Sequence, residues 1–382
     1  MKKMYAGLFV FILILVLSAC GTEEASQASS EPKTNNSEAI TINQDIPDNE
    51  VISTGPYGES AISAKTLQLT AEEVAKIKEG NFTAAISLHY AGNDWSNAQV
   101  KGITETFEKM GIEVISVTDA QFRPEKQVAD IETILARNPD ILVSFPVDPV
   151  SMAPSYKQAL DAGVKLVFMD NPPQDFVAGE DYVSVVSADN YGNGVEAAHL
   201  LAKSLGEKGK IGVLFLDIDF FVTNQRKEAF EKTIKEQYPD IEIVASAGVA
   251  DPNEADAVAS ALLTRHPDLD GMFSVWDLLG DGVMSAARTA GREDLAISTI
   301  DLGINAAISI AQGGMTKGLG AQLPYDQGVA EAILGGYSLL GKEAPPYVAV
   351  PAMSVTQENV LEAWETVYQT EPPVELQEAA KQ

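Results

Sequence analysis

From Phe82 onward the chain alternates, with little interruption, between short apolar runs and stretches of helical period. The runs are "TAAISLHY", "IEVISVTD", "DILVSFPV", "VKLVFMDN", "KIGVLFLD", "IEIVASAG", "LDGMFSVW", "LAISTID" and "KGLGAQL", each followed by a helix-period segment. Strand then helix, repeated, predicts an α/β fold with parallel sheets. Most of the runs are apolar throughout rather than at every second residue, which is what burial on both faces of a sheet requires. Helix ends are marked too: "NAQVKGITETFEKMG" closes on Gly111 and "NQRKEAFEKTIKEQYP" stops at a proline. No internal repeat of 20 to 50 residues is visible.

The segment before this alternation reads differently. Lys2 and Lys3 precede an apolar run from Ala6 to Leu17, then Ser18, Ala19 and Cys20, the only cysteine of the 382 residues. That run is too short to span a bilayer, which needs about 20 apolar residues. A positive start, an apolar centre and small residues before the cysteine make residues 1–19 a secretory signal. The pattern resembles a bacterial lipobox, and the resemblance implies a lipid on Cys20 and an extracytoplasmic, membrane-anchored protein. Residues 20–49 are mostly Ser, Thr, Glu, Gln, Asn and Pro and are expected to be a disordered tether. Residues 50–80 are expected to be an extension with one short helix, "TAEEVAKIKEG", which carries Thr70 as N-cap, Glu73 at the capping-box position and Gly80 as C-cap.

Composition removes one class of partner. The formal net charge is −29, and removing residues 1–19 takes away two lysines and no acid. With Arg226-Lys227 as the longest basic cluster, no stripe exists to meet a phosphate backbone, so nucleic acid is excluded as a partner.

In open parallel sheets ligands bind beyond the carboxyl ends of the strands. Those tips offer His89, Asn93 and Trp95, then Asp119, Gln121, Asp148, Asp170 and Asn171, then Asp217, Asp219, Trp276, Asp277, Asp301 and Gln322. Any one of them could simply cap the next helix, and Asp148 and Asp219 are read that way. As a set, carboxylates, amides and indoles at one edge suit a polyhydroxylated ligand, because hydroxyls pair with the polar groups and the apolar faces of a sugar ring stack on aromatics.

The segments "LHYAGNDWSNAQVKGI", "GVKLVFMDN", "VSADNYGNG", "TNQRKEAF", "FSVWDLLGDGVMSAARTAG", "TIDLG" and "GAQLPYDQG", in this order and spacing, resemble the type I periplasmic sugar-binding proteins, the ribose-binding group of ABC-transporter receptors, from about residue 82 to 368. The resemblance implies two doubly wound parallel-sheet lobes joined by a hinge that the chain crosses three times. It implies a first lobe of residues 81–188 and 323–350 and a second of 189–322 and 351–376. Ligand contacts are implied at His89, Asn93, Trp95, Asp170, Asn171, Asn224, Arg226, Trp276, Asp277, Asp301 and Gln322. Ribose-type members carry Asp-Arg where this chain has Asp170-Asn171, and Asn-Asp where it has Trp276-Asp277, which bears on the identity of the sugar. The implied function is capture of a monosaccharide or related polyol by a monomer and its delivery to an ABC-transporter permease, without cofactor, metal or reaction. Two alternatives stay open: a receptor of the same fold that reports to a membrane sensor kinase, and a glycoside hydrolase using Asp170 and Asp301.

Competing motifs are weaker. "YGNGVEAA" imitates a dinucleotide fingerprint, but "SADN" separates its first glycine from the strand. His199 and His266 lack metal-ligand spacing, "DPNEAD" lacks the oxygen ligands and closing Glu of a calcium loop, and no G-x-S-x-G elbow occurs.

Overall fold

The structure, a computed structural model, describes residues 37–218 and 220–381. Cys20, the signal segment and the first part of the expected tether lie outside the described residues, as does Asp219.

Two large sheets organise the described chain. The first has seven parallel strands in the order Ile62–Ser63, Tyr347–Val350, Ser184–Ala188, Lys165–Met169, Ile141–Ser144, Thr83–Leu88 and Glu113–Asp119. The second has six, Ile241–Val249, Gly209–Leu216, Gly271–Ser274, Ala296–Ile300, Thr316–Ala321 and Met353–Val355, the last antiparallel to its neighbour. All nine apolar runs form strands. Ser184–Ala188 and Tyr347–Val350 join them, and both are fully buried in the first sheet. The fold is therefore α/β with two parallel-sheet lobes, as the alternation requires.

The chain passes between the sheets three times. It leaves the first after Ala188 into helix Asn190–Ser204, returns after Ala321 into helix Pro324–Leu340, and leaves again between Val350 and Met353. Helix Pro324–Leu340 lies against helix Asp94–Lys109 so closely that a Cβ on Gly328 would stand 2.3 Å from the Gln99 carbonyl oxygen. Only a residue without a side chain fits there.

Residues 37–80 depart from expectation at their start. The tether is expected to reach Asn49, yet Ile40, Ile42 and Ile46 are buried and Ile40–Thr41 pairs antiparallel with Gln68–Leu69. These isoleucines join the core cluster under helix Pro324–Leu340, so the segment buries enough apolar surface to order itself. Helix Ala71–Lys78 starts as its sequence indicates: Thr70 Oγ1 accepts from the Glu73 amide, and the Thr70 amide donates to Glu73 Oε2. It ends at Glu79, one residue before the expected Gly80.

The extension also spans both sheets. Strand Ile62–Ser63 edges the first, and the Tyr57 hydroxyl donates to the Pro173 carbonyl at 3.1 Å. On the other side, the amides of Ile52 and Ser53 and the Ser53 hydroxyl donate to the Asp189 carboxylate. No helix among the described residues is long and apolar enough to cross a membrane.

Candidate functional site

The carboxyl ends of both sheets face one cleft, and the strand-end positions supply its polar groups. Asp170 follows strand Lys165–Met169 and Asp301 follows strand Ala296–Ile300. Both hold left-handed backbone, with φ of +55° and +74°. Non-glycine residues adopt that region at a cost, which is tolerated most often by Asp and Asn and found most often at functional sites.

A continuous chain of hydrogen bonds links these tips. The Trp95 indole donates to Gln322 Oε1 at 3.3 Å, and Gln322 Nε2 donates to Asp301 Oδ1 at 2.7 Å. Arg226 Nη1 lies 3.5 Å from Asp301 Oδ2, and Arg226 Nε donates to Asn190 Oδ1 at 2.8 Å. Asn190 Nδ2 donates to the Ser187 hydroxyl, which donates to Asp170 Oδ1. The chain starts on a helix of the first lobe, crosses the second and returns to a strand of the first. Arg226 is 4% exposed.

Electrostatics follow from burial. Burial pushes the Asp170 carboxyl up to about 6, against the pull of Ser187 and Arg226. Asp301 is raised by burial too, opposed by Arg226 and Gln322. Asp277 is raised well above the carboxylate range by burial and then by the neighbouring charges of Asp301 and Asp281. Desolvation lowers His89 to about 3, so the imidazole is neutral, and its Nδ1 has no partner among the described residues.

Aromatic rings line the other side. Phe122, His89, Phe145 and Phe220 form a run of neighbours with centroids 5.2, 3.8 and 5.6 Å apart. Phe145 follows strand Ile141–Ser144 of the first sheet and Phe220 precedes helix Phe221–Gln237 beyond strand Gly209–Leu216 of the second, and their planes differ by 13°. This ring pair joins the two lobes, and Trp95 and Trp276 also line the cavity.

Of the implied contacts, His89, Asn93, Trp95, Asp170, Arg226, Trp276, Asp301 and Gln322 line this cavity. Asp277 lines the adjoining part of the cleft with Asp94, Asp281 and Asp301. Two residues are not brought to it. Asn224 is exposed on helix Phe221–Gln237, while Thr223 and Arg226 of that helix face the cavity. Two helical positions are about 200° apart, so Asn224 and Arg226 cannot share a face. Asn171 is buried, outside this lining, with Nδ2 unpartnered among the described residues.

Sequence reasoning misses Asn190, Phe145, Phe220 and Thr223. Phe145 stands in plain view at the tip of "DILVSFPV", whereas Asn190 inside "SADNYGNG" gives only a helix-start signal. Among the capping readings, Asp148 does accept from the Val150 and Ser151 amides. Gly194 of the dinucleotide-like stretch serves packing, since a Cβ there would stand 2.4 Å from the Arg226 carbonyl oxygen.

Comparison with known proteins agrees with this geometry. The model of the periplasmic binding protein domain matches residues 84–335. The chain is 25% identical over 286 residues to the ribose import binding protein of Salmonella typhimurium, covering 74% of this chain and 93% of that protein. It is 25% identical over 241 residues to the xylitol-binding protein of Mycolicibacterium smegmatis, covering 61% of this chain and 66% of that one. An ABC-transporter periplasmic solute-binding protein of Actinobacillus succinogenes, solved with bound D-allose, superposes with a TM-score of 0.66 at 27% identity, covering 73% of this chain and 99% of its own. With two parallel sheets, a shared polar cleft and a domain match over most of its length, the chain belongs to the type I periplasmic sugar-binding protein family.

Proposed function

We propose that this protein captures a monosaccharide or related polyol between its lobes and delivers it to an ABC-transporter permease. The observation that carries the reading is the hydrogen-bonded chain from Trp95 to Asp170. It holds two carboxylates, a guanidinium and an amide in one cleft, the partners that vicinal hydroxyls require. Relatives named for ribose, xylitol and bound D-allose support the ligand class. The family is one of substrate-binding transport proteins, and capture without turnover is the corresponding activity.

The lobes divide, on this reading, at 188/189, 322/323 and 350/351, and rotation at those three connections opens and closes the cleft while each sheet stays rigid. Calorimetric titration with D-ribose, D-allose and xylitol tests capture: saturable heat and unchanged sugar afterwards are expected. Recovery of a cleaved or altered product would transfer the reading to a hydrolase.

The anchor belongs to the same proposal. Cys20, behind its apolar run, carries a lipid that holds the receptor at an extracytoplasmic membrane face. A Cys20→Ala chain should lose incorporation of radiolabelled fatty acid, and continued labelling would remove the anchor from the proposal.

A further inference from the structure

The cavity has a polar and an apolar lining, which meet at Trp95: its indole donates to Gln322 and its ring meets Phe145 edge-on at 6.2 Å. The polar side is the hydrogen-bonded chain through Gln322, Asp301, Arg226 and Asp170. The rest is the run of rings from Phe122 to Phe220, with the branched aliphatic side chains of Val147, Leu216 and Val222, and of Ile218, which is 49% exposed. Rings can stack on the face of any sugar, but branched aliphatic groups offer no flat surface and no hydrogen-bond partner. A hydroxyl turned toward them would be desolvated without compensation. Trp276 adds apolar surface, because its indole lines the same cavity.

We infer that the preferred ligand is a deoxy sugar, with its hydroxyls along one edge to meet the polar chain and a methyl group toward Val147, Leu216 and Val222. The inference rests on the reading of the site as a sugar cleft and names the substrate class within it. A fully hydroxylated hexose would carry an exocyclic hydroxyl into the aliphatic wall. The methyl of its 6-deoxy counterpart fills the same space with apolar contact.

Matched pairs that differ at that single hydroxyl test it: L-rhamnose with L-mannose, L-fucose with L-galactose, and 6-deoxy-D-allose with D-allose. Each is titrated calorimetrically into the full protein beside D-ribose and xylitol. The deoxy member of at least one pair should bind at least tenfold more tightly than its partner and than D-ribose; an apolar wall discriminates against an added hydroxyl by up to about a hundredfold. Val147→Thr, which places a hydroxyl in the wall at nearly constant volume on a half-buried residue, should narrow that preference several-fold. Equal or tighter binding of a hydroxylated member, or of D-ribose or xylitol, overturns the deoxy preference and leaves the sugar reading standing. Absence of heat from every compound overturns both.

Discussion

Arg226 donates through Nε to Asn190 Oδ1 at 2.8 Å, so the one cation in the polar chain is held by a residue from the first turn of another helix. Its Nη1 donates to the Val275 carbonyl at 3.2 Å and faces Asp301 at 3.5 Å, so the Nε and Nη1 edge of the planar fork is committed to the protein before any ligand arrives. Arg226→Ala would leave the buried Asp301 carboxylate without its cation, with Gln322 still donating to it, and would take the Arg226 donors from Asn190 Oδ1 and the Val275 carbonyl. Loss of one partner of a buried pair costs about 3–5 kcal/mol, so both melting temperature and sugar affinity should fall. Arg226→Lys keeps a charge but not the fork, and should recover stability more than affinity. An Arg226→Ala protein that melts like the parent would break the proposed network.

Trp276 lines both parts of the cleft and is half-buried, whereas Trp364 is 5% exposed and packs on Tyr368 at 4.5 Å in the core. Only Trp95 and Trp276 should therefore report ligand. Trp276→Ala should remove most of any ligand-induced fluorescence change and cost about 1–3 kcal/mol of binding from lost contact area, with apo melting little altered. Normal affinity with early melting would return Trp276 to a packing role.

Much of this architecture is legible because burial writes itself into sequence. Nine strands stand out since most are apolar throughout, and eight of eleven implied contacts line the cavity since strand ends fix where side chains converge. What fails depends on phase or on distance. Asn224 reads as a lining residue because the resemblance gives a segment and not the rotation of the helix that carries it. Ile40, Ile42 and Ile46 read as tether because their partners lie far along the chain: the Asn43 amide, for instance, donates to Asp326, 283 residues away. Phe220 looks like one more residue of a loop. Its role exists only once the two sheets bring it over Phe145.

Asp189 joins the extension to the crossing between sheets. Its carboxylate accepts from the amides of Ile52 and Ser53, from the Ser53 hydroxyl at 2.7 Å and from the Gly192 amide that it caps. Asp189→Ala should destabilise the fold by about 3 kcal/mol, since four donors lose their shared acceptor together. Ser53→Ala, which removes one of those donors, should cost about 1 kcal/mol. Denaturant midpoints check both, and equal small losses would mean that solvent replaces the carboxylate.

Asp326 gives a pH dependence that its environment fixes in sign. It is 1% exposed on helix Pro324–Leu340, with Oδ1 accepting from the Asn43 amide at 3.3 Å and Oδ2 unpartnered among the described residues. Burial, only partly offset by that amide, pushes its carboxyl up to about 7. In the unfolded chain the group titrates near about 3.9, so the folded state binds the proton more tightly. The contribution of the protonated acid to stability is therefore complete below about pH 4 and is lost as pH rises toward 7. Asp326→Asn keeps size and acceptor without a charge. It should be close to neutral at pH 4 and stabilising by a few kcal/mol at pH 8, because each tenfold difference in proton affinity between the folded and unfolded chain is worth about 1.4 kcal/mol. Urea titrations of both proteins across that range check it. A difference in unfolding free energy that does not change between pH 4 and pH 8 would show that Asp326 is ionised and hydrated in the folded protein.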